Sequence, residues 1–243
     1  AEAGVEAVAE AGVEAVTDAD GEAVTEADGE AVAEADGEVA QDSIVVGPTI
    51  PVGVAEEHRQ FTGTCWVSPD TFRAYVRETL ASLAGHGWDR LVVVNGHGGN
   101  VPALREVCGD LTRSETALAV PFTWFDAVDP AAVAEEHAGD GERIEMGHGG
   151  AAETSVVRAV RPDLVHEDRL EEAVAGAADG WGEWAGGSNL AYDTAEFTEN
   201  GVVGDPTASD PAVGEALLDA AGERLAELIR ALAERDGSRP PHR

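Results

Sequence analysis

The distribution of apolar residues predicts alternating strands and helices in the central part of the chain. Residues 91–94 (LVVV) and 117–124 (ALAVPFTW) are short, mainly apolar runs without alternating polar positions, which is typical of buried strands in a parallel sheet. Apolar residues recur at helical spacing over 68–85 and 100–111. Because strand and helix alternate with short connections, the pattern predicts a three-layer α/β/α fold with a mostly parallel central sheet.

Capping residues indicate where the two longest helices begin and end. Ser68 is a good N-cap, Pro69 suits the first helical position, and Gly85 can end the helix that follows. The last helix is expected to begin after Ser209 or Asp210, either of which can cap it. Two apolar stripes should face the core: Phe72, Val76, Leu80 and Leu83 on the first helix, and Leu217, Leu225, Leu228 and Leu232 on the last.

Three further segments give weaker signals. Residues 43–53 (SIVVGPTIPVG) predict a short strand that Pro48 and Pro51 would end. Residues 150–162 predict a short helix followed by a proline. Residues 181–205 are rich in glycine and aromatic residues, so we expect them to form a loop over the sheet edge or over a functional site.

The amino-terminal segment is a repeat of low complexity. Residues 1–40 divide into five octads that contain thirteen carboxylates but no aromatic, histidine or basic residue. A glycine in each octad weakens any helix, and only alanine and valine are available for burial, so the segment is expected to be disordered. The predicted organisation is therefore an octad-repeat segment at 1–42, a single α/β domain at 43–235 and a frayed tail at 236–243.

The formal net charge of −33 changes the picture of the surface. There are 48 acidic residues against 15 basic ones, and every basic residue is arginine. Such a surface repels nucleic acid and anionic membranes, so neither is an expected partner. Carboxylates in this excess fit a halophilic cytoplasm, and the sequence shows no signal pattern or long apolar span, so we expect a cytoplasmic protein. Cys65 and Cys108 form no metal motif and are expected to be buried.

Histidines among glycines mark the candidate chemistry. His97 follows the strand at 91–94, and in open α/β sheets ligands bind at the carboxyl ends of strands. A single histidine there is also compatible with a structural turn, and His148 and Glu153 taken singly are compatible with a loop and a solvated helix start. Their joint occurrence favours an active site, because imidazoles bind metal ions or move protons. The stretches concerned are EEHRQFTGT (56–64), NGHGGN (95–100), WFDAVD (124–129) and MGHGGAAETS (146–155).

Four motifs, which occur along the chain in the family's order, resemble those of the creatininase family of metal-dependent amidohydrolases. PTIPVGVAEEHRQFTGT is similar to the family's Glu-His and Phe-Pro-Gly-Thr stretch, with Thr62 in place of the usual proline. VVVNGHGGN matches its hallmark in full, HGGAAETS resembles its His-x-Gly-x-x-Glu-Thr-Ser motif, and GVVGDPTAS resembles its Gly-Asp-Pro loop. The resemblance covers residues 43–235.

The resemblance implies a fold, a reaction and a set of site residues. It implies an α/β/α homo-oligomer that hydrolyses C–N bonds of small molecules, cyclic amides or formamides, with one or two divalent ions of zinc, manganese or iron. His97 would bind the metal, Glu153 a second metal, and His148 would carry a proton to the leaving nitrogen. The Gly98 and Gly99 amides would stabilise the oxyanion. Trp124 would line the pocket, and His58 would face the same site.

The sequence departs from the family pattern at the amino terminus. The family's Glu-x-His-Gly and Gly-Thr-Asp ligand motifs would precede residue 43, where this chain carries the octads and where only Asp18, in TDAD, stands near the expected aspartate. A catalytic metal normally has three protein ligands. Two hypotheses therefore remain open: a working amidohydrolase, or a non-catalytic or amino-terminally incomplete family member that acts as a binding or assembly subunit.

Overall fold

The central sheet is a pair of parallel strands joined through a helix. The computed structural model describes residues 44–137 and 144–238, together with two dipeptide strands, β1 (Val16–Thr17) and β2 (Ala23–Val24), which pair antiparallel. Strands β3 (Arg90–Asn95) and β4 (Leu118–Thr123) pair in parallel with Leu91 opposite Ala119 and Asn95 opposite Thr123. Apart from these two dipeptides, residues 1–42, for which the sequence predicts disorder, are not among the described residues.

Helices cover both faces of this strand pair, which confirms the α/β prediction. Successive side chains of a strand point to opposite faces; Leu91 and Ala119 pack with helices α1 (Pro69–Gly85) and α2 (Val101–Arg113). Phe122 packs on the other face with α5 (Ala151–Val160) and α7 (Pro211–Glu234). The remaining elements are shorter: α3 (Trp124–Ala127), α4 (Pro130–His137), α6 (Leu170–Ala175), β5 (Trp184–Ala185) and β6 (Ser188–Asn189).

The helix caps form where the sequence predicts them. The Ser68 hydroxyl accepts a hydrogen bond from the Thr71 amide at 3.2 Å, and α1 ends at Gly85. Asp210, the second of the two candidate caps, accepts from the Ala212 amide at 2.8 Å and begins α7. The predicted stripes face inward, with Phe72, Val76 and Leu80 buried on α1 and Leu217 and Leu232 buried on α7.

Two predictions in the first part of the domain are wrong. Residues 44–53 form no strand, and Val45 and Val46 are exposed. Pro48 and Pro51 disfavour a strand only in the second half of this segment, because a proline has no amide hydrogen to donate to a neighbouring strand. Cys65 is exposed rather than buried; Cys108 is buried, which raises the pKa of its thiol to about 11.

The segment 181–205 carries the β5–β6 hairpin, in which Trp184 lies opposite Asn189, so part of the predicted loop has regular structure. In the described part of the chain, the helices are all too short or too polar to span a bilayer.

Candidate metal centre and histidine cluster

The loop after β3 holds His97 through a network of asparagines. The buried Asn95, the last residue of β3, accepts from the His97 amide at 3.2 Å and donates to the His97 carbonyl at 2.9 Å. Asn100 donates to the Asn95 side chain at 3.2 Å and accepts from the Val54 amide at 2.8 Å. These side-chain bonds fix the turn and hold the 44–55 segment against it, so the histidine leaves the strand end in one direction.

Glu57 and His58 approach His97 from a single 3-10 turn, Glu56–His58. Glu57 Oε1 lies 3.0 Å from His97 Nε2 and 3.7 Å from His58 Nε2. His97 Nε2 also lies 2.8 Å from the Val54 carbonyl oxygen. Burial opposes ionisation of Glu57, but the hydrogen bond from His97 and the nearby imidazoles outweigh it and lower the pKa of the carboxyl. The turn therefore adds an ionised carboxylate to the histidine.

The far side of His58 is held by the 193–196 segment. Thr194 Oγ1 lies 2.9 Å from His58 Nδ1, and both residues are buried. Next to this pair, Arg59 donates to Asp193 Oδ2 at 2.6 Å. Burial lowers the pKa of the His58 imidazole, with Glu57 opposing and His97 adding to the effect. His58 is thus a neutral ring whose Nε2 points towards Glu57.

His148 stacks on His58 and completes a cluster of three histidines. The ring centroids of His148 and His58 are 4.2 Å apart with an interplanar angle of 11°. The backbone of His148 exchanges two hydrogen bonds with Val203, at 3.0 and 2.8 Å, which anchors the loop before α5. Burial and the neighbouring His58 lower the pKa of His148 to about 3, so its imidazole is neutral near pH 7. The ring of Trp181 lies 6.5 Å from it.

Glu153 lies in the first turn of α5 and bonds to its own loop. Its Oε2 accepts from the Gly149 amide at 2.5 Å, a favourable place for a carboxylate at a helix start. Burial raises the pKa of this carboxyl, against the effect of that hydrogen bond. Among the described residues, the close ligand group contains Glu57, His58 and His97 but not Glu153. The role of Glu153 as a ligand of a second metal stays a prediction.

The donor atoms of Glu57, His58 and His97 fit a divalent cation. They all lie within 4.8 Å of one another. Ligand atoms about 2.0–2.1 Å from a tetrahedral zinc ion are about 3.3 Å apart. Glu57 Oε1 lies 3.0 Å from His97 Nε2 and 3.7 Å from His58 Nε2, which is slightly below and slightly above that value. Two imidazoles and one carboxylate are also a common ligand set of zinc hydrolases. The three residues can therefore hold an ion with only a small adjustment of their side chains.

The structure brings some of the predicted site residues together and places others elsewhere. His58, His97 and His148 form one cluster, with Gly99 directly beside Glu57 and His97. Trp124 is buried in the hydrophobic core that α5 and α7 share. Gly98 begins a 3-10 turn. Asp18 lies outside the described residues. The roles assigned to these residues stay predictions.

The sequence patterns did not predict three residues that contact the histidine cluster. Glu57 stands next to His58 in the EEH stretch, and that adjacency was the available signal. Trp181 belongs to the glycine- and aromatic-rich segment that was expected to cover the edge or the site. Thr194 carries no local signal, because it reaches His58 only through a contact that spans 136 positions in sequence.

Comparison with known proteins gives consistent matches. The family model described as "Creatininase: Creatinine amidohydrolase" matches residues 17–229. The "Mycofactocin precursor peptide peptidase" of Mycobacterium ulcerans is 34% identical over 178 residues, which cover 73% of this chain and 62% of that protein. The chain therefore spans less than two thirds of the length of that relative.

Two further matches carry the creatininase name. The "Creatinine amidohydrolase" of Pseudomonas putida is 34% identical over 118 residues, 45% of each protein. The solved structure described as "Creatininase Mn" is 26% identical, has a TM-score of 0.57 and covers 76% of this chain and 74% of its own. The fold and the motifs of this chain are thus similar to those of amide-cleaving proteins.

Proposed function

The chain belongs to the creatininase family, and from this premise we propose that it is a metal-dependent hydrolase that cleaves an amide C–N bond in a small molecule. The single observation that carries the proposal is the convergence of Glu57, His58 and His97 at the end of β3, beside the neutral His148. A peptidase and an amidohydrolase among the relatives both act on amide bonds, which supports this bond class. A cyclic amide or a formamide is the proposed substrate.

Glu57, His58 and His97 would hold the cation. An ion in such a site lowers the pKa of water and polarises a carbonyl oxygen. The chain's own contribution is geometry: the asparagine network fixes His97, and the 3-10 turn presents Glu57 and His58 from the opposite side. The Val54 carbonyl, 2.8 Å from His97 Nε2, adds a further oxygen at the same point.

His148 is the proposed carrier of the proton. Its imidazole is neutral at pH 7 and stacks on His58, so an unprotonated ring nitrogen lies beside the point where a bound cation would activate water. Because burial makes its conjugate acid strong, the protonated ring gives its proton up readily to a leaving nitrogen. The Trp181 ring, whose centroid lies 6.5 Å from that of His148, would limit the access of solvent to that transfer.

Metal content and amide hydrolysis test the proposal. The full chain, purified at high salt, is expected to retain about one zinc or manganese ion per chain. It should also open the ring of creatinine to give creatine, or cleave a formamide into formate and an amine. The Glu57→Gln variant should lose the metal, whereas Glu56→Gln, the same change at the exposed neighbouring position, should keep it.

The same measurements distinguish the alternative function. A parent chain that takes up no zinc, manganese or iron would refute a working metal centre and favour the non-catalytic binding or assembly subunit. Metal that is retained in His97→Ala would show that the ion binds elsewhere.

A further inference from the structure

We propose that Thr194 is a positioning residue that accepts the Nδ1 proton of His58 and thereby supports the tautomer whose Nε2 is free to bind a cation. This assignment rests on the metal centre proposed above. It is carried by the 2.9 Å contact between Thr194 Oγ1 and His58 Nδ1. Thr194 is 3% exposed and His58 8% exposed, so water does not replace this hydrogen bond if the hydroxyl is lost.

The direction of this hydrogen bond decides whether His58 can be a ligand. A neutral imidazole carries one proton, on Nδ1 or on Nε2, and only an unprotonated nitrogen binds metal. With the proton on Nδ1, His58 donates to the Thr194 hydroxyl and the lone pair of Nε2 faces Glu57. A threonine hydroxyl accepts a hydrogen bond from Nδ1–H in this tautomer, and it donates one to Nδ1 in the tautomer that carries the proton on Nε2. Cation binding therefore selects the Nδ1–H tautomer, and Thr194 supplies the acceptor that this tautomer needs.

The segment that carries Thr194 is held in place on both sides. Asp193 accepts a hydrogen bond from Arg59 at 2.6 Å, next to the contact of Thr194 with His58. Two neighbouring residues of this segment therefore each contact one of two neighbouring residues, His58 and Arg59. The Glu196 carboxylate accepts from the amides of Tyr192 and Asp193, each at 2.8 Å, and closes the turn. The hydroxyl thus meets His58 in a fixed geometry, as ligand-orienting partners of metal sites do.

Zinc affinity of the full chain, measured by isothermal titration calorimetry at high salt, tests the role. Thr194→Val keeps the shape of the side chain and removes the hydroxyl, and we expect zinc binding weaker by about 10- to 100-fold. Thr194→Ser restores the acceptor and should bind within about threefold of the parent, a change of less than about 1 kcal/mol.

Thr198→Val is the matched control. Thr198 is also a buried threonine, 6% exposed, and its hydroxyl donates to the Gly176 carbonyl at 2.9 Å rather than to an imidazole. This variant loses the hydrogen bonds of the Thr198 hydroxyl to Gly176, Asn200 and Gly201, none of which reaches an imidazole, and it should bind zinc like the parent. Circular dichroism of every variant shows whether the fold is retained.

The outcomes separate this assignment from the proposed function. If Thr194→Val binds zinc as tightly as Thr198→Val does, the assignment is wrong and the metal centre stands. A parent that binds no zinc overturns both. If Thr194→Val does not fold, imidazole ¹⁵N NMR of the zinc-loaded parent decides: an Nδ1 proton of His58 that is protected from exchange by its hydrogen bond to Thr194 supports the assignment, and an absent or unprotected one overturns it.

Discussion

At the scale of single residues, the candidate metal centre depends on the absence of one side chain. A Cβ at Gly99 would lie 2.2 Å from the Val54 carbonyl oxygen, 2.6 Å from His97 Nε2 and 2.8 Å from Glu57 Oε1. These distances are far shorter than van der Waals contact, so glycine is the residue that lets the three groups converge. At the preceding Gly98, a Cβ would meet no atom within 4 Å.

The two neighbouring glycines therefore give a paired prediction. Gly99→Ala should displace Glu57 or His97 and weaken zinc binding by about 100-fold, the upper end of the effects seen when metal ligands are misplaced. Gly98→Ala should bind zinc like the parent, since its methyl group meets open space. Calorimetric titration of both variants measures this difference. Equal affinities would mean that the centre is not built around Gly99.

At the scale of secondary-structure elements, the contact between α5 and α7 fixes the helix that follows the His148 loop. A Cβ at Gly214 on α7 would lie 2.0 Å from the Ser155 carbonyl oxygen of α5. Ser155 is fully buried, and its hydroxyl accepts from the Asp210 amide at 3.0 Å, just before α7 begins. The two helices thus approach at backbone distance, which fixes the position of α5.

Alanine at two positions of α7 should therefore have opposite effects on stability. Gly214→Ala forces the helices apart and should lower the free energy of unfolding by about 3 kcal/mol. Gly222→Ala, on the exposed face of the same helix with no atom near the new methyl, should raise it by about 0.5 to 1 kcal/mol, because alanine favours helix. Urea unfolding followed by circular dichroism measures both. Similar destabilisation by the two changes would refute the close helix contact.

At the scale of the whole molecule, the charge of −33 opposes the compact state. Most of the described arginines are engaged in ion pairs, for example Arg73 with Asp70 and Glu106. With 48 acidic residues and 15 basic ones, most carboxylates have no arginine to pair with. Mutual repulsion among them is screened by salt, because the Debye length falls from about 10 Å at 0.1 M to about 3 Å at 1 M.

Salt should consequently stabilise the folded chain. Raising KCl from 0.1 to 1 M is expected to increase the melting temperature by about 5 °C or more, which corresponds to about 2 kcal/mol for a domain of this size. Thermal unfolding followed by circular dichroism measures the shift. Sucrose at matched osmolality is the control, because it acts by exclusion from the surface and does not screen charge. A melting temperature independent of KCl would show that the repulsion is already balanced locally.

The sequence by itself determined the local structure and the family. Periodicity located β3, β4 and the long helices, and capping chemistry located Ser68 and Asp210, because these signals depend on neighbours a few positions apart. The His-Gly-Gly motifs identified His97 and His148 as candidate site residues for the same reason. The strand predicted at 43–53 does not form, and in its second half an apolar composition does not supply the amide hydrogens that its prolines lack.

Only the tertiary structure decided which residues form the cluster. Glu57 reaches His97 across 40 positions and Thr194 reaches His58 across 136, through contacts made when separate loops dock at the end of the sheet. It also showed that the Glu153 carboxylate accepts a hydrogen bond from the Gly149 amide and is not in the close ligand group. Local spacing carries no information on such distances, since they follow from strand pairing and helix packing of the whole chain.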